Sequence, residues 1–172
     1  QTSCILEAFG NAKTLKNNNS SRFGRLIEIY FSAEGGICGA NVQTFLLEKS
    51  RVVQLAHGER SYHIFYQLCA GAPSALRDKL KLRGASEYNF LNQSGSLVID
   101  NVDDAKKFHM VVEALNTLRI SERDQEHAFQ MVAAVLWLGN ITFQAIGNGN
   151  NVEVVQSEAV RNAASLMGCS AD

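Results

Sequence analysis

An alternating run of side chains, followed by two glycines, is the feature that most restricts the fold of this chain. The odd-numbered residues of 23–31 would share one face of an extended strand, and the even-numbered residues of 26–32 would share the other. Gly35 and Gly36 can adopt the positive φ angles of a tight turn, so residues 37–46 can return as a second strand. The sequence therefore predicts a β-hairpin near the N-terminal end.

Helical periodicity dominates the chain before and after this hairpin, and each helical stretch carries a residue suited to start or stop a helix. Those residues are Gly10, Ser61, Gly71, Pro73, Asp103 or Asp104, Ser121 with Asp124, Gly139 and Gly168. Residues 84–96 are predicted as a loop with a short extended piece at 88–91, and short strands are predicted at 141–143 and 152–155. The predicted class is α+β, mainly α-helical with an N-terminal β-hairpin, in one domain without a repeat or a linker.

Composition excludes several classes of function. The 172 residues are 46% hydrophobic and 19% charged, which is typical of a globular protein that buries one core. A net charge of −1 argues against a general binder of nucleic acid or of anionic membranes. No apolar run approaches the ~20 residues that span a bilayer, so no transmembrane segment is expected. The four cysteines are far apart and lie among apolar or small residues, which predicts reduced, packed thiols in an intracellular protein.

Residues 17–24, Asn-Asn-Asn-Ser-Ser-Arg-Phe-Gly, form a polar run directly before the predicted hairpin. Three amides, two hydroxyls and one guanidinium supply neutral donors and a permanent positive charge, and a hydroxyl oxygen is a hard ligand suited to Mg²⁺. A nucleotide phosphate with its Mg²⁺ would match these groups. An Asn-rich turn that leads into a strand explains the same residues, with Asn18 and Asn19 in solvent, so both interpretations stay open on residue chemistry alone.

The pattern Asn-x-x-Ser-Ser-Arg in this run resembles the switch I loop shared by the myosin and kinesin motors, and Phe-Gly after the arginine is the myosin form. The flanking segments 5–14, 46–53, 62–68 and 133–141 resemble myosin motor segments in family order. The resemblance covers nearly the whole chain and is nearest to the plant-type unconventional myosins of class VIII. It implies part of a P-loop NTPase-type motor domain, in which the hairpin belongs to the larger motor sheet.

The resemblance also implies roles for individual residues. Asn17 would face the nucleotide phosphates, and Ser20 would lie near the γ-phosphate and help to position the attacking water. Ser21 would place its hydroxyl on Mg²⁺. Arg22 would pair with a carboxylate of the family's second switch and close the pocket around the γ-phosphate. Ser20 and Arg22 are thus the expected catalytic residues, and ATP and Mg²⁺ are the expected cofactors.

Residues 1–47 would then carry switch I and the hairpin, and residues 48–172 the mostly helical upper part of the actin-binding cleft. The implied protein is an ATP-driven motor of the cytoplasmic actin cytoskeleton whose partners are the actin filament and the rest of the myosin heavy chain. Residues 147–151 resemble a surface loop that approaches actin. The chain lacks the phosphate-binding loop Gly-x-x-x-x-Gly-Lys-Ser/Thr and the second switch, so we expect it to be inactive as an ATPase on its own.

Two non-motor alternatives remain at this point: a module that binds a phosphate-bearing ligand or a protein partner without catalysis, and a purely structural domain. The four histidines stand without Cys or Asp at ligand spacing, so no metal site is predicted from them. Trp137 is predicted to lie in the core. The basic residues at 77, 79, 81 and 83 are predicted to form the solvated face of a short helix.

Overall fold

The computed structural model describes residues 2–146 and 151–171, and these residues have the α+β arrangement predicted from the sequence. The α-helices are α1 (Thr2–Gly10), α2 (His63–Gly71), α3 (Ser74–Lys79), α4 (Asn89–Asn92), α5 (Asp104–Thr117), α6 (Glu122–Leu138) and α7 (Glu158–Met167). The strands are β1 (Asn11–Ala12), β2 (Ser20–Ser21), β3 (Gly24–Phe31), β4 (Ile37–Phe45), β5 (Phe143–Ile146) and β6 (Asn151–Val154). They pair as three antiparallel two-stranded sheets, β1–β2, β3–β4 and β5–β6.

The β3–β4 hairpin confirms the predicted strand pair. Its register runs from Gly24 opposite Phe45 to Phe31 opposite Ile37, and Gly35 takes a φ of +83° in the turn. Apolar side chains are exposed on both faces of this ribbon, because neighbouring positions alternate between faces and both Leu26 and Ile27 are about half exposed. Within the described residues, no further strand pairs with either outer edge of the hairpin.

The core lies between the helices. Helix α2 is almost completely buried and packs against α1, α5 and α6. Gly71 at its end permits this close approach to α5, since a Cβ there would stand 2.6 Å from Phe108 Cβ and 2.9 Å from the Ala105 carbonyl oxygen. Trp137 is 2% exposed, as predicted, and its ring meets the ring of Tyr88 edge-on at a centroid distance of 5.6 Å.

Several helix caps follow the sequence and others do not. Asp103 caps α5 by accepting from Lys106 N at 3.0 Å, and Ser121 caps α6. Ser61 does not cap α2, because Tyr62 precedes that helix and the Ser61 hydroxyl donates instead to the Arg51 carbonyl at 3.1 Å.

The segment 84–96 is not the predicted loop with an extended piece. It contains a 3₁₀ turn, Ala85–Glu87, and the short helix α4. Tyr88 and Leu91 are both wholly buried there, and a helical turn places two such side chains, three residues apart, on one inward face. The predicted strands at 141–143 and 152–155 are present but shifted to 143–146 and 151–154.

Arg60, in the loop before α2, is a fully buried arginine. Its side chain is completely buried, Nη2 donates to both carboxylate oxygens of Asp104 at 3.0 and 3.1 Å, and its guanidinium lies 3.7 Å from the ring centroid of Tyr66. The carboxylate and the aromatic face together compensate the buried charge. Nε and Nη1 have no partner among the described residues.

The predictions for the basic residues at 77–83 and for the cysteines are each wrong in part. Helix α3 ends at Lys79, so Lys81 and Arg83 are not on it, and Arg83 stacks over Trp137 at 5.2 Å. Cys69 is buried as predicted, whereas Cys38 and Cys169 are exposed. The loop 147–151 falls outside the described residues except for its last position. No helix within 2–146 and 151–171 combines the length and hydropathy that crossing a membrane requires.

Candidate functional site

Residues 17–22, here called the switch segment, connect the end of α1 to the base of the hairpin. Its last three residues are fixed by backbone pairing, since Ser20 and Ser21 form β2 opposite β1 and Arg22 N donates to the Gly10 carbonyl at 2.9 Å. The segment starts at a turn in which Thr14 N donates to the Asn17 carbonyl at 2.8 Å. Both ends are therefore held to the scaffold while the polar side chains between them remain at the surface.

The side chains expected to face a nucleotide are accessible. Asn17 and Ser21 are exposed and Ser20 is half-buried. The Ser21 hydroxyl donates to the Phe23 carbonyl at 3.3 Å, which leaves its oxygen lone pairs available to a hard cation such as Mg²⁺. Asn17 Oδ1 accepts from Asn19 N at 2.8 Å, so its amide NH₂ group remains a donor. These groups fit a phosphate and its cation, and they are not packed into an apolar interior.

Arg22 has an acidic partner within this chain. Its Nε donates to Glu48 Oε2 at 2.6 Å, and its Nη1 donates to Ser20 Oγ at 3.3 Å. Both side chains of the ion pair are about one third exposed, at 31% and 32%. Glu48 N also donates to the Arg22 carbonyl at 3.0 Å. Arg22 is thus fixed beside Ser20, the serine predicted to lie near the γ-phosphate, by Glu48, which lies three residues beyond the end of β4.

A network of charges extends from this pair into the helical body. Arg51 donates to Glu48 Oε2 at 2.7 Å and to Glu59 Oε2 at 2.8 Å. Burial raises the pKa of Glu48, but hydrogen bonds from Arg51 and Arg22 outweigh it and hold that pKa below its usual value. The hydrogen bond from Arg51 likewise lowers the pKa of Glu59, whose other oxygen accepts from Leu15 N at 3.2 Å. This chain of opposite charges therefore links Arg22, at the end of the switch segment, to Leu15, just before its start.

Asn19 is exposed, but its side chain is held by hydrogen bonds to three neighbours. Its Nδ2 donates to Glu7 Oε2 at 3.1 Å, while its Oδ1 accepts from Asn11 Nδ2 at 3.0 Å and lies 3.1 Å from His63 Nε2. His63 is 8% exposed, and burial together with the positive charges of Arg60 and Lys107 lowers its pKa to about 4. The ring is therefore neutral near pH 7. It is a structural hydrogen-bonding group here, and no group of three or more potential metal ligands exists among the described residues.

Comparison with known proteins decides the family. The myosin head (motor domain) model matches residues 1–172. The chain belongs to the myosin motor-domain family. It is 62% identical over 169 residues to Myosin-4 and 63% identical over 172 residues to Myosin-2, both of Arabidopsis thaliana, covering 98% and 100% of this chain. It is 44% identical over 167 residues, 96% of this chain, to Myosin-J heavy chain of Dictyostelium discoideum.

This myosin chain spans only 15% of the length of Myosin-4, 14% of Myosin-2 and 7% of Myosin-J heavy chain. The family and the likeness to plant myosins confirm the resemblance read from the switch segment and its flanks, and the class VIII assignment stays a prediction. The roles of Asn17, Ser20, Ser21 and Arg22 also stay predictions, although the myosin structure brings them together at one surface.

Sequence reasoning missed three residues of the site: Asn19, Glu48 and His63. Glu48 and Arg51 do carry a local signal, because opposite charges three residues apart favour a pair on a helical turn. Nothing in the sequence connects Glu48 to Arg22 or His63 to Asn19, since the members of these pairs are 26 and 44 residues apart. In this myosin chain, only the fold brings them into contact.

Proposed function

We propose that this chain is the switch I and upper-cleft part of an actin-based motor that hydrolyses ATP. Residues 1–47 supply the switch segment and its hairpin, and residues 48–172 supply helices of the actin-binding cleft. In this proposal ATP and Mg²⁺ are the cofactors. The partners are the actin filament and the rest of the heavy chain, and the proposed location is the cytoplasmic cytoskeleton. The observation that carries this proposal is the accessible switch segment, anchored at both ends, in a myosin motor-domain chain.

Within this proposal the residues have separate tasks. The amide NH₂ of Asn17 donates to phosphate oxygens, and the Ser21 hydroxyl oxygen coordinates Mg²⁺, which supplies charge stabilisation when bound. Ser20 orients the attacking water through its hydroxyl. Arg22 donates to that hydroxyl from Nη1 and so links the serine to Glu48. Catalysis would then consist of positioning and electrostatic stabilisation, as expected for phosphoryl transfer.

The exposed apolar ribbon supports a further element of the proposal. A two-stranded hairpin with apolar side chains on both faces is marginally stable alone and requires additional strands or packed helices. The rest of the heavy chain would cover both faces and continue the sheet. The switch segment would then extend from the edge of a rigid multi-stranded sheet.

The test is the actin-activated ATPase of the complete motor domain that contains this chain. We expect the wild-type motor to hydrolyse ATP and to release actin when it binds ATP. Arg22→Ala should lower turnover roughly 10²-fold, because it removes a fixed charge from the site. Arg25→Ala, an exposed arginine of the hairpin, is the matched control and should retain wild-type turnover.

Two results would contradict the proposal. A complete wild-type protein without ATP turnover would favour the non-catalytic phosphate-binding module. Equal turnover in the Arg22→Ala and Arg25→Ala variants would remove the role given to Arg22. Residues 1–172 alone should show only background hydrolysis, which the same assay measures.

A further inference from the structure

We infer that the hydrogen bond between Asn19 and His63 ties the switch segment to helix α2, so that displacement of one displaces the other. The inference rests on the proposed motor function and assigns its coupling step to two positioning residues. Neither residue is expected to touch nucleotide or actin. Their task is to transmit a change in the switch segment to the helical body.

The side chain of Asn19 is fixed because both of its polar atoms are engaged. Nδ2 must be the atom that faces Glu7, because a carboxylate only accepts hydrogen bonds. Oδ1 is then the acceptor for Asn11 Nδ2 and for His63. Rotation of the amide would break three contacts at once, so a shift of the segment at this residue would disturb all three partners.

His63 must carry its proton on Nε2, because the Asn19 oxygen it faces can only accept. The imidazole is more than nine-tenths buried and is the first residue of α2. Eight of the nine residues of α2 are buried, so this close-packed helix moves as a unit with its neighbours. The donor is consequently attached to the helical body and not to a mobile side chain at the surface.

His63 differs from the other two partners of Asn19 in its position in the chain and in the fold. Glu7 and Asn11 precede the switch segment by 12 and 8 residues and lie on α1 and β1, which lead directly into it. His63 is 44 residues away and belongs to the helices assigned to the cleft. Of these three side-chain contacts, this one therefore connects the two functional parts of the chain.

The experiment uses the complete motor domain and compares actin affinity without nucleotide and with a non-hydrolysable ATP analogue. The ratio of the two affinities measures coupling between the sites. We expect Asn19→Ala to reduce this ratio at least about fivefold, the lower range of measured couplings. His63→Leu should reduce it by the same factor, whereas His63→Gln keeps an N–H donor and should stay within about twofold of wild type.

Substitution at His63 is testable because a cavity of about 300 Å³, lined by Asn19, Gln67 and Met110 among others, adjoins the ring and can absorb small adjustments. If His63→Leu fails to fold, the exposed Asn19→Ala and the conservative His63→Gln variants still decide. His109→Leu, on the exposed side of α5, is the control for loss of a histidine.

The double variant Asn19→Ala/His63→Leu tests whether the two substitutions act through one shared contact or independently. If the two residues act through their shared hydrogen bond, the affinity ratio of the double variant should be no lower than that of the single variant with the lower ratio. Additive losses, wild-type coupling in Asn19→Ala, or equal losses in His63→Leu and His63→Gln would overturn the inference. A wild-type motor that does not release actin with the analogue would instead contradict the proposed function, so the two failures are distinguishable.

Discussion

Arg22 Nε lies 2.6 Å from Glu48 Oε2, and Arg51 Nε lies 2.7 Å from the same oxygen. One carboxylate therefore serves two guanidinium groups, one on the switch segment and one in the helical body. Arg51 is 8% exposed and is paired with Glu59 as well. Glu48 thus keeps a cationic partner even when Arg22 moves away, which makes it suited to hold Arg22 reversibly.

Glu48→Gln should test that shared role. The variant keeps the shape of the side chain but removes its charge, so we expect the free energy of unfolding to fall by about 1–2 kcal/mol, less than for a fully buried pair because Glu48 is about a third exposed. Urea unfolding of the complete motor domain measures this change. Glu113→Gln on the exposed face of α5 is the control and should be neutral. Equal stability of both variants would show that the network contributes nothing.

Ser21→Ala should separate function from folding. Ser21 is exposed and makes one long side-chain hydrogen bond, so the free energy of unfolding should change by less than about 0.5 kcal/mol. Steady-state turnover with Mg²⁺ should nevertheless fall roughly 10²-fold, if the hydroxyl holds the cation. Ser21→Thr retains the hydroxyl and should recover most of the activity. Full turnover in the alanine variant would argue against Ser21 as a Mg²⁺ ligand.

His63 should make stability depend on pH. Its pKa in the fold is about 4, below the ordinary 6.5, because burial and the charges of Arg60 and Lys107 disfavour the imidazolium, although Glu7 and Asp104 line the same cavity. The unfolded chain therefore binds more protons between pH 6.5 and 4, and the free energy of unfolding falls as pH falls through that window. The contribution of this one residue is about 3 kcal/mol over the whole window.

The measurement compares wild type with His63→Gln by thermal unfolding of the complete motor domain at pH 7 and pH 5. Wild type should lose about 2 kcal/mol more than the variant, which has no imidazole to protonate. His127→Gln on α6 serves as the control, since that histidine is exposed. The same pH dependence in wild type and His63→Gln would show that the ring does not resist protonation in the fold.

Asp104→Asn should be strongly destabilising. It leaves the wholly buried guanidinium of Arg60 without its carboxylate, and breaking a buried pair on one side costs about 3–5 kcal/mol. The double variant Asp104→Leu/Arg60→Met removes both charges and should recover much of that loss. Asp103→Asn at the neighbouring cap position is the control, because asparagine also caps helices well. Thermal unfolding midpoints that rank the double variant below Asp104→Asn would contradict this account.

The elements that the sequence predicted correctly are those with a local signal. Alternation and Gly35 located the hairpin, Asp103 and Ser121 carried caps, and Gly168 ends α7 with a φ of +71°. Each of these depends on residues within a few positions of one another, so periodicity and turn chemistry are sufficient.

The features that the sequence did not predict depend on residues far apart in the chain. The contacts of Arg60 and Asn19 carry no local signal in the sequence, because their partners Asp104 and His63 each lie 44 residues away. Segment 88–91 looked extended because its aromatic and apolar side chains suit a strand, whereas their burial is set by contacts with Trp137 and the surrounding core. A polar side chain's environment is decided by tertiary contacts that single-sequence patterns do not contain.

The hairpin has a consequence for how such a chain is made. Among the described residues no strand pairs with its outer edges and its apolar faces are exposed, so under the proposed function its covering contacts would come from elsewhere in the heavy chain and would form late, because long-range pairing is slow. Until then its strands can associate edge to edge with those of other nascent copies. Production of a protein that carries this hairpin should accordingly benefit from chaperones that shield these strands during synthesis.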